Sequence, residues 1–284
     1  MKTELTRTQQ IEQSLNKRFR KNIWSQFVTA VKRYRLIEEN DKIAVCISGG
    51  KDSALMAKLM QMLGRYSDFP FETEYIVMDP GYLPENRVRI LDNAALLGID
   101  IKIFDTDIFN SVSSVKNSPC YLCARMRRGY LYEYAKSLGC NKIALGHHFD
   151  DVIETTVMAM FYGAQLQCMP PKLRSTSHPG MQLIRPLYMV SETDICAWRD
   201  ANNLTFLQCA CRFTERAGQE KMLSKRLVVK NLLRELKKEN PMICQNIFNS
   251  LHNVSLDTFC GYKSDGVRYS FNELFDMESG TDIE

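Results

Sequence analysis

The stretch that decides the fold is Lys42-Ile-Ala-Val-Cys-Ile-Ser-Gly-Gly-Lys-Asp-Ser53. Its first six residues form a short apolar run typical of a buried strand, and a helical pattern rich in Ala, Leu and Met follows as far as Leu63. Between them, Gly49 and Gly50 let the backbone turn tightly and approach a ligand closely. The start of the following helix presents N–H groups and a positive dipole end to an anion. The segment therefore predicts a phosphate-binding turn.

The side chains of this turn favour a nucleotide bound with a metal ion. Ser48 and Ser53 supply hydroxyl donors, and Asp52 is suited to hold magnesium against the phosphates. The Walker pattern G-x-x-x-x-G-K-[ST] and the dinucleotide pattern G-x-G-x-x-G are both absent, which argues against ordinary P-loop NTPases and dinucleotide-binding proteins. The alternative without a ligand is a capped strand-to-helix turn.

Strand and helix patterns alternate through the first half of the chain. Strand patterns recur at 74–78, 101–104 and 142–146, and helical patterns at 84–97, 125–138 and 150–161. Such alternation predicts right-handed βαβ units, and hence an α/β fold with a Rossmann-like parallel sheet flanked by helices. Ligands of such folds bind at the carboxyl ends of the strands. The turn 48–53, Asp79 and the segment 147–151 all fall at such ends.

The chain is expected to contain three regions. They are a basic helical extension at 1–38, the α/β domain at 39–190, and a mainly helical region at 191–284. The apolar spacing from Ile11 to Tyr34 predicts one amphipathic N-terminal helix. Loops, helices and irregular structure are expected after Tyr162: loop signals within 169–180, a helix capped at 191–194 and reaching Ala201, helices at 213–239 and 241–254, and a less clearly structured tail from 264.

Composition limits the class of protein. Hydrophobic residues make up 45% and charged residues 25%, which is ordinary for a soluble globular protein. Residues 1–20 are polar, and no apolar run approaches the length that spans a bilayer, so we expect a cytoplasmic protein without a signal peptide. In that compartment the ten cysteines indicate metal binding, catalysis or buried thiols rather than disulfides.

Basic residues are clustered although the net charge is only +4. The two clusters are Lys17, Arg18, Arg20, Lys21, Lys32, Arg33, Arg35 and Lys221, Lys225, Arg226, Lys230, Arg234, Lys237, Lys238. Such stripes suit a nucleic-acid backbone, but they also occur on solvated helix faces balanced by glutamates. Charge patterning alone leaves both interpretations open.

Four cysteines stand in close pairs, Cys120 with Cys123 and Cys209 with Cys211. Thiolates select zinc or iron–sulfur centres. Spacing by itself favours a structural zinc site with four cysteine ligands.

Several spaced motifs carry a family resemblance. In chain order they are SGGKDS at 48–53, PCYLC at 119–123, RRGYL at 127–131, ALGHHFDD at 144–151, FYG at 161–163 and MPPK at 169–172. Together they resemble the tRNA 2-thiocytidine synthetase (TtcA) family of the PP-loop ATP-pyrophosphatase superfamily, over roughly Ile23 to Val254. The resemblance implies an enzyme that transfers AMP from ATP to the C2 carbonyl oxygen of a cytidine in tRNA and then replaces that oxygen with sulfur.

The resemblance also implies the residues of the nucleotide site. Asp52, Asp151 and Arg128 are the expected catalytic residues, and the two aspartates are expected to bind Mg²⁺. Residues expected to bind ATP are Ile47, Ser48, Gly49, Gly50, Asp52, Ser53, Met78, Asp79 and Gly146. Arg127 and Arg128 are both candidates to neutralise phosphate charge or to contact tRNA, and the alternative is a pair of solvent-facing arginines. His147 and His148 are expected to be pocket-wall residues.

In the resembled family, the C-x-x-C and one distal cysteine bind a [4Fe–4S] cluster and leave one iron open to carry sulfur. Here that implies Cys120, Cys123 and Cys209. The chain departs from the family at Cys209-Ala-Cys211, where a second C-x-x-C is common, so Cys211 remains an alternative third ligand. The expected cofactors are therefore ATP, Mg²⁺ and a [4Fe–4S] cluster.

The resemblance names tRNA and a cysteine desulfurase or other sulfur donor as partners, and a homodimer is expected. Lys225, Arg226 and Lys230 of the second basic cluster are the expected RNA-binding residues. One alternative is a cluster-free PP-loop ligase of the lysidine synthetase type, against which Cys120 and Cys123 count. The other is a zinc-stabilised nucleic-acid-binding protein, against which the intact Asp52 and Asp151 count.

Overall fold

The computed structural model describes residues 4–113, 119–207, 219–273 and 275. At 110, 112, 113, 119–121 and 219–224 it describes the backbone only. The chain divides into two compact units, Met1–Leu232 and Leu233–Glu284. The first unit carries the sheet and every site residue discussed below.

The sheet of the first unit has six strands. They are β1 (Lys42–Ile47), β2 (Glu72–Asp79), β3 (Ile101–Asp105), β4 (Lys142–Ala144), β5 (Lys172–Arg174) and β6 (Gln182–Ile184). Their order is β3-β2-β1-β4-β6-β5, and every neighbouring pair is parallel except β5 with β6. The predicted α/β fold with a Rossmann-like sheet is thus confirmed.

Helices pack on both faces of this sheet. In chain order the helices of the first unit are α1 (Arg7–Asn16), α2 (Ser25–Arg33), α3 (Lys51–Tyr66), α4 (Pro84–Leu97), α5 (Ile108–Ser113), α6 (Pro119–Ser137), α7 (Phe149–Gly163), α8 (Glu192–Ala201) and α9 (Gln219–Glu239), whose last turns enter the second unit. Alternate residues of β1 join different cores: Ile43 and Val45 pack with α3, whereas Ala44 and Cys46 pack with α6. This alternation follows from the two-residue period of a strand.

The N-terminal helix is interrupted, contrary to the sequence prediction. A π-helical turn, Arg20–Trp24, separates α1 from α2. The buried apolar residues recur every four positions: Ile11, Leu15, Phe19, Ile23, Phe27, Val31. On a helix of 3.6 residues per turn that spacing drifts by about 40° per step. A wider π turn corrects the drift, so that all six side chains stay buried.

Two further segments differ from the predictions. Residues 172–174 and 182–184, expected to be loop or unassigned, are β5 and β6. Three-residue strands are too short to show a period. In the second unit, α10 (Ile243–Ser250) precedes a hairpin of β7 (Gly261–Ser264) and β8 (Val267–Ser270), where irregular structure was expected.

Strand order places a ligand crevice beside β1. The chain passes from β1 through α3 to β2 on one side, whereas β4 lies on the other side of β1. A crevice opens at the carboxyl ends of two such strands because their connections diverge. Among the described residues, no helix combines the length and the apolar character needed to cross a bilayer.

Candidate active site

A cavity of about 320 Å³ opens at the carboxyl ends of β1 and β4. Its walls come from β1 and the turn after it, from the end of β2, from α6 and from the segment after β4. The lining residues are Cys46, Ile47, Ser48, Asp52, Ser53, Met78, Tyr82, Arg127, Leu131, Leu145, Gly146, His147 and Asp151. The cavity therefore lies where the strand order predicts a ligand site.

The turn after β1 holds its shape through its own hydroxyl groups. Ser53 Oγ accepts a hydrogen bond from the Ser48 N–H and donates one to the Gly50 carbonyl, both at 3.0 Å. Gly49 has a φ of +83°, which favours glycine. Gly50 is the N-cap of α3, and no described side chain caps this helix. The first N–H groups of α3 are therefore left for an anionic ligand.

Gly146 brings the end of β4 against the start of α3. A Cβ atom at this position would lie 3.0 Å from the Ser53 nitrogen and 3.2 Å from the Asp52 carbonyl carbon. These are backbone atoms of a helix start and have little room to move. The side of the cavity formed by β4 thus depends on glycine.

Two carboxylates converge on the cavity with a histidine between them. Asp52 lies in the first turn of α3 and Asp151 in the first turn of α7. His148 Nε2 lies 3.9 Å from Asp52 Oδ1 and 3.5 Å from Asp151 Oδ2. His148 is also the N-cap of α7: its N–H donates to Asp151 Oδ2 at 3.1 Å, and its Nδ1 accepts from the Asp151 N–H. This capping box fixes Asp151 at the cavity.

One face of α6 connects the cavity with Cys123, the second cysteine of the first pair. Arg127 and Leu131 line the cavity, and the buried Cys123 precedes Arg127 by four positions. Residues four apart lie on the same helix face. Cys120 is one turn before Cys123 and within α6, not before the helix as the sequence suggested. Cys123 therefore lies about one helical turn from the cavity wall, on the same face of α6.

Comparison with known proteins identifies the family. Residues 10–216 match the model of the PP-loop domain. The tRNA-cytidine(32) 2-sulfurtransferase of Teredinibacter turnerae is 35% identical over 278 residues, which cover 95% of this chain and 86% of the relative. The chain belongs to the tRNA-cytidine(32) 2-sulfurtransferase family of PP-loop proteins. The enzyme of the same name from Vibrio cholerae is 36% identical over 88% of this chain and 79% of its own length.

A solved structure shares the fold of the family. The U34-tRNA thiolase NcsA from Methanococcus maripaludis, solved with its [4Fe–4S] cluster, superposes with a TM-score of 0.61. The match covers 92% of this chain and 88% of that chain at 19% identity. At this identity the likeness concerns the fold.

Six of the nine residues predicted to bind ATP line the cavity, whereas Gly49, Gly50 and Asp79 do not. The two glycines form the backbone of the turn, and Asp79 has other partners. Its carboxylate accepts hydrogen bonds from the Gly81 and Tyr82 N–H groups at 2.9 and 2.7 Å and pairs with Arg87 at 2.8 Å. These contacts shape the turn after β2, and Met78 is the residue of that strand end that lines the cavity.

Of the two arginines expected near the phosphates, Arg127 lines the cavity and Arg128 does not. Arg127 lies in the cavity wall and donates to Tyr82 Oη at 3.5 Å, while Arg128 is exposed. Consecutive helical residues differ by about 100° in direction, so only one of the two shares the face of Cys123 and Leu131. The four-residue spacing of Cys123, Arg127 and Leu131 could have distinguished Arg127 from Arg128 in the sequence, because it places these three residues on one face of α6.

Two cations predicted to bind RNA touch the acids of the site. Arg226 Nη2 lies 2.6 Å from Asp151 Oδ1, and its Nε lies 2.7 Å from Glu154 Oε2. Lys230 pairs with Glu192, which also binds Lys51 of the turn at 3.3 Å. Burial opposes ionisation of Glu192, but Lys230 and Lys51 outweigh it and lower its pKa to about 2. Sequence reasoning missed Glu192 as part of this network because it is remote along the chain.

The cavity wall carries a neutral histidine and lies near a buried cation. Burial lowers the pKa of His147 to about 4, with the charge of Arg185 adding to the shift, so its ring is neutral at pH 7. Burial lowers the pKa of Arg185 to about 10, which still leaves it charged. Arg185 follows β6, and its Nη1 donates to the Pro170 carbonyl of the MPPK motif. Sequence reasoning did not single out this arginine.

The predicted cysteine site is described only in part. Cys123 is buried in the main core of the unit, and the backbone of Cys120 belongs to α6. Cys209 and Cys211 lie outside the described residues. The choice between them stays a prediction.

Proposed function

We propose that the chain is an ATP-dependent tRNA sulfurtransferase that adenylates the C2 carbonyl oxygen of a cytidine and replaces it with sulfur. The observation that carries this proposal is the cavity in which the turn 48–53, Asp151 and Arg127 meet, with the buried Cys123 one helical turn before Arg127 on α6. The names of the relatives that share 35–36% of their residues with the chain support it.

ATP would bind with its phosphates at the start of α3 and its adenosine along the opposite wall of the cavity. The uncapped start of α3 and the hydroxyl groups of Ser48 and Ser53 suit the phosphates. Ile47, Met78 and Gly146 line the remaining wall and suit the adenine and ribose. Asp52 and Asp151 would hold Mg²⁺, which supplies positive charge to the phosphates when bound. Asp79 would contribute to ATP binding indirectly, because its carboxylate holds the turn after Met78 in place.

In the first step, the cytidine O2 atom attacks the α-phosphorus and pyrophosphate leaves. Negative charge develops on the bridging oxygen and on the pyrophosphate, and the first N–H groups of α3 and the Arg127 guanidinium would stabilise it. Arg128, on the exposed side of α6, would act from outside the cavity by contacting the tRNA. C2 is then electrophilic, and a sulfur nucleophile replaces AMP, a far better leaving group than oxide.

Cys120, Cys123 and Cys209 would hold a [4Fe–4S] cluster. The buried Cys123 fits this role because it extends the cavity-lining face of α6, and thiolates are the usual ligands of such clusters. When bound with three thiolates, the cluster supplies an open iron that can carry sulfur. The protein would place that sulfur beside the nucleotide cavity and keep the C2 atom within reach.

Lys225, Arg226 and Lys230 would bind the phosphates of the RNA. Arg226 contacts Asp151 in the cavity wall, and Lys230 contacts Glu192, which pairs with Lys51 of the turn 48–53. RNA bound along this part of α9 would therefore lie next to the reacting atoms. We further propose that the enzyme acts in the cytoplasm as a homodimer and receives sulfur from a cysteine desulfurase or a comparable donor.

The decisive experiment measures the product. The protein is purified and reconstituted without oxygen, then incubated with ATP, Mg²⁺, sulfide and unmodified tRNA, and the nucleosides are analysed by mass spectrometry. We expect 2-thiocytidine and one AMP for each cytidine modified. A colourless protein that holds zinc, or one that forms AMP without thiolated tRNA, would refute the proposal. Loss of 2-thiocytidine from tRNA of cells that lack the protein is the matching test in vivo.

A further inference from the structure

The last turn of α7 presents an apolar surface to solvent. Met160, Phe161 and Tyr162 have 48%, 57% and 45% of their surface exposed. Two turns earlier the same helix is buried at Val152 and Ile153. Large neighbouring apolar side chains at a surface mark an interaction site more often than scattered ones do.

This surface carries a positive charge. Lys225 Nζ lies 4.9 Å from the centre of the Tyr162 ring, within range of a cation–π contact. We call Phe161, Tyr162 and Lys225 the α7 aromatic surface. An exposed aromatic ring next to a lysine is the combination that binds an unpaired nucleotide, because the ring stacks on the base and the cation attracts the phosphate.

The α7 aromatic surface is tied to the candidate active site in two ways. Asp151, in the first turn of α7, lies ten residues before Phe161, which is a rise of about 15 Å along the helix. Lys225 directly precedes Arg226, which pairs with Asp151. A polynucleotide with one base at the cavity would therefore pass the aromatic surface within a few nucleotides.

We propose that Phe161 and Tyr162, with Lys225, form a stacking platform for an unpaired base that neighbours the modified cytidine in the RNA. This inference rests on the proposed function, since it requires an RNA substrate. The platform separates two tasks: α7 holds a flanking base at its end, while the acids at its start serve the nucleotide. It binds bases by stacking and therefore tolerates different base identities.

The test compares aromatic side chains with aliphatic ones of similar size. Phe161→Leu and Tyr162→Leu keep an apolar surface but remove the rings, whereas Tyr162→Phe keeps the ring. Tyr66→Leu is a matched control, because Tyr66 is also an exposed tyrosine at a helix end with an arginine, Arg65, 6.0 Å from its ring centre. Affinity for fluorescent tRNA is measured by anisotropy with the full chain. Crosslinks from 5-iodouridine placed beside the target cytidine are mapped by mass spectrometry.

We expect each leucine variant at 161 or 162 to weaken tRNA binding on the order of tenfold, the loss of one base–aromatic stack. Tyr162→Phe and Tyr66→Leu should bind as the wild type does, ATP affinity should not change, and crosslinks should map to 160–163. If the wild type binds and thiolates tRNA while both leucine variants keep full affinity, the stacking platform is refuted but the proposed function is not. If those variants change only the oligomeric mass, the surface binds protein and the inference is also refuted. Absence of tRNA binding by the wild type would refute the proposed function itself.

Discussion

Arg226 Nη2 lies 2.6 Å from Asp151 Oδ1, so a cation of α9 occupies one oxygen of the carboxylate expected to bind magnesium. The other oxygen accepts the His148 N–H. Metal binding through Oδ1 of Asp151 therefore requires Arg226 to share or release this oxygen. The ion pair couples the helix proposed to bind RNA to the site proposed to bind ATP.

Replacement of Arg226 should change the magnesium requirement. We expect Arg226→Gln to lower the Mg²⁺ concentration needed for half-maximal ATP binding severalfold, because Asp151 Oδ1 becomes available. Isothermal titration at a series of Mg²⁺ concentrations measures this. Lys230→Gln is the matched control, since Lys230 pairs with Glu192 instead. An unchanged or higher requirement in Arg226→Gln would show that the ion pair does not compete with the metal.

The two acids of the cavity should be essential for the reaction. We predict that Asp52→Ala and Asp151→Ala each abolish ATP-dependent thiolation without unfolding the protein, because both charges face the cavity rather than the core. Activity is read as 2-thiocytidine formed, and folding by circular dichroism. Glu85→Ala, which removes an exposed acid from the first turn of α4, should keep full activity. Turnover near that of the wild type with unchanged magnesium dependence would refute the assignment.

Gly146 should be sensitive to a single methyl group. Gly146→Ala forces a Cβ to within 3.0 Å of the Ser53 nitrogen, which displaces the start of α3 and should weaken ATP binding about tenfold. Gly129→Ala in α6 is the control, since a Cβ there meets no atom within 4 Å. Equal ATP affinity in both variants would mean that the start of α3 does not bind the nucleotide.

The basic residues of α9 should set the affinity for tRNA. Reversal of Lys225, Arg226 and Lys230 to Glu should weaken binding strongly and flatten its dependence on salt, by roughly one unit of slope for each phosphate that the protein no longer neutralises. Because Arg226 also touches Asp151, the single variant Lys225→Glu is used to show that ATP binding survives. A salt slope equal to that of the wild type would leave these residues as a solvated face.

The cysteine prediction separates the two candidate third ligands. Cys120→Ser, Cys123→Ser and Cys209→Ser should each lose the broad visible absorbance of a [4Fe–4S] centre and all thiolation, since three ligands leave no redundancy. Cys211→Ser should keep most of the iron, as should the exposed control Cys260→Ser. Loss of iron in Cys211→Ser but not in Cys209→Ser would make Cys211 the third ligand. Zinc in the native protein, absent from all four variants, would refute a cluster that carries sulfur.

The positions of the first four strands, the turn 48–53 between the first strand and the next helix, and the family could all be predicted from the amino-acid sequence. A buried apolar run that ends in Ser-Gly-Gly favours this turn wherever it occurs, because backbone freedom and helix-start N–H groups are local properties. The N-terminal cap of α8 could also be predicted: Ser191 Oγ accepts a hydrogen bond from the Asp194 N–H at 3.1 Å, as the pattern at 191–194 indicates.

The set of side chains that meet in the cavity, in contrast, depends on tertiary packing. The phase of α6 places Arg127 rather than Arg128 in the cavity wall. The approach of the start of α7 to the start of α3 places His148 between two carboxylates. Arg226 contacts Asp151, which is 75 positions away in the sequence. The charge pattern of the sequence indicated a basic cluster but could not identify the acids with which it pairs. Such contacts arise from the summed packing of distant elements, which no local pattern encodes.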